Sequence, residues 1–393
     1  MNDIDSIRIL ADSNAAPLLR RELSRRGFMG TVMALGAAGL LTACTPAGQG
    51  KPAAQATGGA VEDSLSIYSW GEYDSPEVIE AFTNEHGAKV VMDTFASNEE
   101  MIAKLVAAKG SSGYDLVVPT GVFIPQMIEN GLLSKLNLDL IPNIEHMDPA
   151  FLGREWDPEN EYSICKAWGT TGFVYDKTII TRELKTWNDF IDAAQNEASG
   201  RTSVLDDPAP LCGIYYWANG IDWTTSDPAH LDACEAFLVG ELAPHIAAFD
   251  SYPGGAAIPQ ASHVLMQSWN GDARIGILES PDPDRWQWVL GAPDTELWMD
   301  NWALAAGAPH PEAAHAFLNF ILTPEAQLAQ VDYIGYDTGA AGIRAAAEAA
   351  GFEGLDMVFF DEAQTETMHE GVVGEAQARV VEIWNATKAA AGA

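Results

Sequence analysis

The chain has 393 residues, of which 47% are hydrophobic and 20% are charged, and its formal net charge at pH 7 is −35. This length is ample for a hydrophobic core and predicts two domains or lobes. The negative charge excludes non-specific nucleic-acid binding, because contact with phosphates needs a basic surface, and it favours the attraction of cations.

Residues 1–44 have the features of an export signal and are excluded from the fold prediction. Ser24–Gly30 contains a twin-arginine pattern, and a weakly apolar segment too short to cross a membrane follows it. Leu41–Cys44 is similar to a bacterial lipobox, in which the cysteine becomes the lipidated N-terminus. We therefore predict twin-arginine export to the periplasm and a lipid anchor at Cys44, with a plain cleaved signal peptide as the alternative.

The composition after the signal predicts a tether and then a soluble domain. Residues 45–63 are rich in Gly, Ala, Pro and Gln, which is typical of a flexible linker, and no long apolar run follows. An odd number of cysteines remains, and a disulfide between Cys212 and Cys234 in an oxidising compartment is left open. No CxxC pair and no metal-ligand spacing occur, so we predict neither a metal site nor a cofactor.

The first strand of the domain is predicted at Ser66–Ser69, where the side chains alternate and β-branched and aromatic residues occur. It leads into Trp70, Glu72 and Tyr73. In open α/β sheets, ligands bind at the carboxyl ends of the strands. Two aromatic rings and a carboxylate suit an organic cation, because the π faces and the negative charge both attract it. An ordinary first strand with a core tryptophan is the alternative.

Helices and strands alternate along the next part of the chain. The predicted elements are a helix from Ser75 to Gly87, a strand at Lys89–Phe95, a helix that begins at Ser97, a strand at Tyr114–Thr120 and a helix at Phe123–Asn130. This β-α-β-α-β-α order predicts a parallel sheet with helices on both faces.

Eight different short motifs lie along nearly the whole chain after the signal. They are Tyr68–Tyr73, Ser97–Leu105, Tyr114–Thr120, Tyr162–Ile164, Trp168–Thr170, Trp269–Gly271, Trp298–Asp300 and Tyr333–Tyr336. In this order they resemble the polyamine-binding proteins of bacterial ABC importers, the spermidine/putrescine-binding group of extracellular solute-binding proteins.

The resemblance implies an α/β fold, the two-lobed periplasmic binding protein fold (type II-like), with the ligand cleft between the lobes. It implies lobe one at 64–171 plus 298–344, and lobe two at 172–297 plus 345–393. It further implies a substrate-binding component that binds a putrescine- or spermidine-like polyamine and delivers it to an ABC permease in the inner membrane. A monomer is expected, without enzymatic activity, cofactor or nucleic acid.

The resemblance also implies site residues, with two departures from the spermidine-binding pattern. Asp207 matches an acid that meets an amine, but Pro210 stands where spermidine binders have a second acid. Thr120–Val122 stands where the family often has Ser-x-Tyr, so one aromatic wall is absent there. Trp269–Asp272 resembles the putrescine-binding branch, in which this acid holds an ammonium group. Both departures favour a ligand other than spermidine.

Further rings and acids complete the candidate site. Trp298 and Asp300 supply a ring and a carboxylate, and Tyr336 follows on a glycine turn. Burying an unpaired ammonium is costly, so Asp272 and Asp300 are predicted to hold the two ends of a diamine. The complete set of candidate ligand-binding residues is Trp70, Glu72, Tyr73, Thr120, Asp207, Trp269, Asp272, Trp298, Asp300 and Tyr336.

Three alternatives stay open. The same fold can bind another solute, such as a quaternary ammonium or an amino-acid-like compound, and Tyr215–Tyr216 resembles the paired tyrosines of ferric-ion binders without an accompanying His/Glu set. A secreted lipoprotein enzyme is disfavoured, because Gly-x-Ser-x-Gly, His-Glu-x-x-His and phosphate-loop motifs are absent and His310 and His315 are predicted at the surface. The third alternative is a scaffold or receptor-like sensor on the membrane, since a binding protein can pass its ligand to a chemoreceptor as well as to an importer.

Overall fold

The computed structural model describes residues 55–393, and the predicted export signal with Cys44 lies outside this part of the chain. The strands are β1 (Ser64–Trp70), β2 (Lys89–Phe95), β3 (Leu116–Val117), β4 (Leu133–Ser134), β5 (Ser163–Asp176), β6 (Thr202–Val204), β7 (Ile246–Phe249), β8 (Leu265–Trp269), β9 (Trp286–Val289), β10 (Thr295–Ala305) and β11 (Met368–Glu370).

The α-helices surround these strands. They are α1 (Pro76–His86), α2 (Asn98–Ala108), α3 (Ile124–Glu129), α4 (Trp187–Gln195), α5 (Pro208–Ala218), α6 (Pro228–Phe237), α7 (Asn270–Glu279), α8 (Pro311–Ile321), α9 (Pro324–Ile334), α10 (Ile343–Ala350), α11 (Glu362–Thr365) and α12 (Gln377–Ala391).

One long strand, β5, joins two sheets. Its first half pairs antiparallel with β10 up to Thr170, and from Thr171 onward it pairs with β8 and β9. The strand order is β2-β1-β3-β10-β5-β8-β6-β7. We call the side built on β1, β2, β3 and β10 lobe one, and the side built on β6, β7 and β8 lobe two. The predicted two-lobed α/β fold is confirmed.

The parallel pairing predicted for the first strands is observed. β1 is parallel to β2 along its whole length and to β3 at two positions, so their carboxyl ends meet at one edge of the sheet. β3 is shorter than the predicted Tyr114–Thr120, and Pro119 beyond it has no N–H for a ladder bond. The Ser97 hydroxyl accepts a hydrogen bond from the Glu100 N–H at 3.2 Å and starts α2 as predicted.

Each lobe has its own aromatic core. In lobe one, the Phe317 ring lies 5.1 Å from the Phe82 ring and 5.4 Å from the Trp302 ring. In lobe two, the rings of Trp187 and Trp217 are 4.9 Å apart. Full burial of a phenylalanine stabilises the fold by about 1.5–3 kcal/mol, so each cluster contributes substantially to the stability of its lobe.

Residues 345–393, predicted to return to lobe two, divide between the lobes. α10 packs against α9 through Ile343, Ala347 and Val331, and Phe359 joins the same cluster. α12 packs instead on α5 and α6 of lobe two, with Ile383 in that core. The alanine-rich face of α10 fits closely against α9, a long-range contact that local sequence does not encode.

The last part of the predicted flexible tether, residues 55–63, is packed against α8. The Thr57 N–H donates to the Glu312 carboxylate at 2.7 Å, and the Ala313 N–H donates to the Glu62 carboxylate at 2.7 Å. Ala56 is buried. The bond to Glu62 satisfies a backbone N–H at the start of α8, and the bond from Thr57 holds the stretch against the same turn, so this stretch differs from the predicted linker.

His310 and His315, both predicted at the surface, differ in burial. His310 lies partly exposed beside Asp115, whereas His315 is buried and the surface prediction for it was wrong. Its Nε2 accepts from the Asn137 N–H at 2.9 Å and its Nδ1 lies 2.7 Å from the Pro311 carbonyl oxygen, so both ring nitrogens are satisfied inside.

The cysteines of the described part are buried free thiols. No helix among residues 55–393 is long and apolar enough to span a bilayer.

Candidate functional site

A cavity of about 500 Å³ lies between the lobes, where the strands end. This size is within the range typical of small-molecule sites. All ten residues singled out from the sequence line it: Trp70, Glu72, Tyr73, Thr120, Asp207, Trp269, Asp272, Trp298, Asp300 and Tyr336. The structure therefore brings the whole predicted set together, although ligand contact by each of them stays a prediction.

The walls of the cavity are strongly acidic. They contain eight carboxylates and, within residues 55–393, no Lys, Arg or His side chain. The carboxylates are those of Glu72, Glu99, Asp207, Asp272, Glu296, Asp300, Glu370 and Glu375. Carboxylates shielded from water without a cationic partner are costly, so a cavity of this kind favours a positively charged occupant.

Aromatic rings from both lobes form the flat walls. Trp70 at the end of β1 donates its indole N–H to the Val118 carbonyl at 3.1 Å, which fixes the ring. Its ring centroid lies 6.3 Å from that of Trp269 at the end of β8. The rings of Trp298 and Tyr336 are 4.9 Å apart and edge-on. Such faces attract cations and also cover methylene groups.

Asp300 is buried in β10 of lobe one, where it pairs with Thr120 just beyond β3. The Thr120 hydroxyl donates to Oδ1 of Asp300 at 2.7 Å, and the Asn98 side-chain amide donates to Oγ1 of Thr120 at 2.9 Å. Burial raises the pKa of Asp300 to about 7, an effect that the Thr120 hydrogen bond opposes. No hydrogen bond is made to Oδ2 within the described residues, so this oxygen is free to accept one from a ligand.

Asp272 lies in the first turn of α7, in lobe two. The Tyr336 hydroxyl donates to Oδ2 of Asp272 at 3.0 Å and holds the carboxylate against the lobe-one side of the cavity. Burial raises the pKa of Asp272 to about 7, and nearby Asp250 adds to the rise. Gly271 permits this contact, because a Cβ there would lie 2.5 Å from the Tyr336 ring.

Asp207 has two roles. It is the N-cap of α5, where its Oδ1 accepts from the Ala209 N–H at 3.1 Å. It also lines the cavity, and burial, followed by the charges of Glu99 and Glu296, raises its pKa well above the ordinary value. Its neighbour Asp206 forms hydrogen bonds with the C-terminal helix instead.

Glu72 marks the mouth of the cavity. Its backbone has a φ of 51°, the left-handed region that few non-glycine residues adopt. Its carboxylate accepts from the Tyr333 hydroxyl at 3.1 Å, and its side chain is exposed. Glu72 is therefore placed to attract a cation electrostatically at the entrance rather than to enclose it.

Glu296 is a cavity carboxylate that the sequence reasoning missed. It precedes Trp298 and Asp300 on β10 at intervals of two, and such residues share one face of a strand. Its Oε2 accepts from the Thr171 hydroxyl at 2.6 Å, and burial raises its pKa to about 7. The alternation Glu-x-Trp-x-Asp was the signal that would have found it.

A buried ion pair lies beneath the site and was also missed. Lys166 on β5 lies 2.6 Å from Oδ1 of Asp74 and donates to the Tyr73 carbonyl at 2.8 Å. Its ammonium lies 4.4 Å from the centroid of the Tyr73 ring and 4.3 Å from that of Trp302. It positions the Tyr73 loop. The sequence around Lys166 does not indicate this ion pair, because Lys166 lies in a buried strand and its partner Asp74 is distant in the chain.

Some buried polar atoms in the cavity wall lack a partner. The Trp298 indole N–H and the Tyr216 hydroxyl make no hydrogen bond, and these residues are 8% and 1% exposed. The Tyr73 hydroxyl lies beside the Asp300 carboxylate, which raises the pKa of Tyr73 further after burial. Buried polar groups are almost always satisfied in proteins, and the Trp298 indole N–H in the cavity wall has donor capacity for such a partner. No metal-binding cluster of His, Cys, Asp and Glu exists among residues 55–393.

The sequence profile of the bacterial extracellular solute-binding proteins matches residues 77–351, which is more than half of the chain. The chain belongs to this family. The two-lobed fold and the interlobe cavity of this solute-binding protein agree with that assignment.

Two curated relatives of this solute-binding protein carry more specific names. It is 29% identical over 311 residues to spermidine/putrescine-binding periplasmic protein 1 of Haemophilus influenzae, covering 79% of this chain and 84% of the relative. It is 31% identical over 278 residues to the spermidine/putrescine-binding periplasmic protein of Escherichia coli K12, covering 70% of this chain and 77% of the relative.

Among solved structures, this solute-binding protein is similar to a putative spermidine/putrescine ABC transporter protein from Listeria monocytogenes. The two superpose with a TM-score of 0.76 at 26% sequence identity. The match covers 83% of this chain and 99% of the Listeria chain, so the likeness includes both lobes.

Proposed function

We propose that this solute-binding protein binds a polyamine of the putrescine or spermidine type and delivers it to an ABC permease in the inner membrane. The observation that carries the proposal is the cavity itself. Asp207, Asp272, Glu296 and Asp300 line it, and within residues 55–393 none of these four forms an ion pair. The names of its relatives point to the same ligand class.

The chemistry of a polyamine matches the walls of the cavity. Each ammonium group needs a carboxylate or several acceptors when it leaves water. The methylene segments need apolar surface, which Trp70, Trp269 and Trp298 provide. A cation–π contact contributes about 0.5–2 kcal/mol, so the rings stabilise the charge as well as the carbon chain.

The site has parts in both lobes. Trp70, Tyr73 and Asp300 belong to lobe one, whereas Asp207 and Trp269 belong to lobe two. A ligand therefore makes its full set of contacts only when the lobes are closed, and binding stabilises the closed form by that difference in contacts. A permease can then distinguish the loaded protein by its shape.

The proposed location is supported by the N-terminal sequence and by the relatives. Both relatives named above are periplasmic proteins. We propose twin-arginine export and a lipid anchor at Cys44, with the binding protein working as a monomer. Mass spectrometry of the exported protein tests the anchor: a diacylated N-terminal cysteine is expected, and a Cys44→Ala variant released as a soluble chain is the control.

Calorimetric titration tests the ligand class. The protein is unfolded and refolded to remove carried-over ligand, and putrescine, spermidine, spermine and glycine betaine are then titrated at moderate salt. We expect polyamines to bind and glycine betaine not to bind, because the acidic walls repel its carboxylate. Absence of binding to all polyamines would refute the proposal while leaving the fold assignment unchanged.

A ferric-ion binder is a weaker candidate. Tyr216 lines the cavity, but Tyr215 packs against the Phe237 ring at 5.3 Å on the surface of α5 and α6. The two tyrosines therefore face different surroundings and do not form a ligand pair. We also propose that the protein binds its solute without chemical conversion, because the relatives named above are described as binding proteins.

A further inference from the structure

Arg274 on α7 is a buried charged residue just outside the cavity. It is 1% exposed and does not line the cavity, whereas Asp272, two positions earlier on the same helix, does. Ionised side chains are almost never fully buried in proteins unless they are paired or hydrogen-bonded. The partners of this guanidinium group therefore indicate what it holds in place.

The guanidinium group of Arg274 connects three segments of the chain. Its Nε donates to the Glu353 carbonyl at 2.8 Å, and its Nη1 donates to the Asp332 carbonyl at 3.1 Å. Its Nη2 lies 3.6 Å from Oδ1 of Asp332. Asp332 belongs to the last turn of α9, and Glu353 follows α10. Arg274 thus joins α7 of lobe two to the end of α9 and to the chain beyond α10.

The end of α9 is a favourable place for this positive charge. The last four carbonyl groups of a helix have no partner within the helix, and the helix dipole makes this end negative. The Asp332 carbonyl is one of these groups, and Arg274 satisfies it. The planar guanidinium group fixes the direction and the length of such bonds, which an apolar side chain of similar size cannot do.

The backbones of α7 and α9 approach each other closely beside these bonds. The contact is made by Gly271 and Gly335, since a Cβ on Gly335 would lie 2.8 Å from the Gly271 carbonyl oxygen. Glycine permits this approach because it has no Cβ. Neither glycine has a side chain that could interlock with the other helix, so the separation of the two backbones here depends on polar contacts.

Two such polar contacts lie next to each other, and one of them belongs to the site. The Tyr336 hydroxyl donates to Oδ2 of Asp272 at 3.0 Å and accepts from the Asp272 N–H at 3.3 Å. The second contact is that of Arg274 with Asp332, one position before the last residue but one of α9. A movement of α7 away from α9 would lengthen both contacts. The charged contact therefore restrains the neighbouring one.

We propose that Arg274 is a positioning residue for the ammonium site at Asp272. By holding α7 against the end of α9, it keeps the Asp272 carboxylate on the Tyr336 hydroxyl, and it does so without touching the ligand. The inference rests on the proposed function and deepens it, because it adds a residue outside the cavity on which the affinity for an ammonium group depends.

The test compares the wild type, Arg274→Met and the matched control Arg285→Met. Arg285 donates to the buried Asp176 carboxylate at 2.7 Å, and neither residue lines the cavity. Calorimetry gives the putrescine affinity, and thermal unfolding gives the melting temperature. We expect both variants to melt below the wild type, because each breaks a buried polar contact. Arg274→Met is expected to weaken putrescine binding at least about fivefold, and Arg285→Met less than about twofold.

A double-mutant cycle separates positioning from a general loosening of the fold. When Asp272→Asn has already removed the charge, adding Arg274→Met is expected to weaken putrescine binding by less than about twofold. In the background of Asp300→Asn the full loss is expected, because Asp300 lies in lobe one and is not held by α7. Losses of equal size in the two backgrounds would overturn the positioning role.

Arg274→Lys provides the rescue. Lysine keeps the charge but lacks the planar donor group, so its putrescine affinity is expected to lie between those of the wild type and Arg274→Met. If Arg274→Met does not fold, Arg274→Lys is taken through the same cycle. Unchanged putrescine affinity in the folded Arg274 variant would overturn the inference while polyamine binding stands. A wild type that binds no polyamine would overturn the proposed function together with the inference.

Discussion

Asp300 is the cavity residue whose burial and hydrogen bonding are best defined. It is 5% exposed, and one of its two oxygens is held by Thr120. An asparagine fits the same space and keeps an oxygen that can accept from the Thr120 hydroxyl. Replacement therefore removes the charge with little change in packing.

We predict that Asp300→Asn weakens putrescine binding at least about tenfold, because the ammonium loses its charged partner. The free energy of unfolding of the ligand-free protein is expected to stay the same or to rise, since an unpaired buried charge is removed. Calorimetry and urea denaturation measure the two quantities, with Asp63→Asn, an exposed acid, as the control. Unchanged putrescine affinity would remove Asp300 from the site.

Lys166 presents the opposite case, because its charge is paired. Lys166→Met leaves Asp74 buried without its cation, and such a loss costs about 3–5 kcal/mol of stability. We expect a large fall in the urea midpoint of this variant. The double variant Lys166→Met with Asp74→Asn is the matched control, and it is expected to recover much of the loss. A single variant as stable as the wild type would contradict this account.

At the level of elements, the close contact between α7 and the end of α9 sets the position of Asp272. We predict that Gly271→Ala weakens polyamine binding and lowers the melting temperature, because the new methyl group lies 2.5 Å from the Tyr336 ring and displaces it from Asp272. Melting curves and calorimetry measure both effects.

Gly240→Ala is the control for that substitution. Gly240 is also helical, and a Cβ there has no neighbour within 4 Å. It is expected to melt at or above the wild-type temperature, since alanine is the better helix former. Similar melting temperatures and ligand affinities for the two variants would show that the Tyr336 contact does not constrain α7.

The elements also show how far the sequence could predict this molecule. Local signals placed β1, the start of α2 at Ser97 and the rings at Trp70 and Tyr73 correctly, because these features depend on residues close together in the chain. The ordered motifs then identified the two-lobed fold. All ten candidate residues lie around one cavity. The strand-end argument pointed to Trp70, Glu72 and Tyr73, and the family resemblance pointed to most of the others.

What the sequence did not predict depends on contacts between distant segments. Lys166 is explained only by Asp74 and the rings above it, which come from another strand and its loop. The packing of α10 on α9 and the burial of His315 are likewise tertiary contacts. Glu296 is different, since the alternation on β10 was visible and only its pairing with Thr171 was not.

For the molecule as a whole, the cavity acids couple stability to pH. Burial raises the pKa of Asp272, Glu296 and Asp300 each to about 7, so the folded ligand-free protein binds more protons than the unfolded chain. The resulting stabilisation is complete below the ordinary carboxyl pKa and is lost as the pH rises through about 7. Ligand affinity changes in the opposite direction, because only the ionised acids pair with ammonium groups.

We therefore predict that the contribution of these acids to the free energy of unfolding falls between about pH 5.5 and about pH 8. Urea denaturation of the ligand-free wild type at the two pH values measures the total change. The variant Asp272→Asn/Glu296→Gln/Asp300→Asn is expected to lose less stability over the same interval. An equal loss in both proteins would show that these acids titrate normally.

The change of partner within β5 bears on how the lobes move. At Thr170 and Thr171 the strand passes from one sheet to the other, and both hydroxyls bond to Glu296, at its carbonyl and its carboxylate. A rotation of one lobe against the other is absorbed in the backbone angles of a few such residues. Glu296 therefore lies at the pivot of such a motion, and its two hydrogen bonds connect the cavity wall directly to the strand that crosses between the lobes.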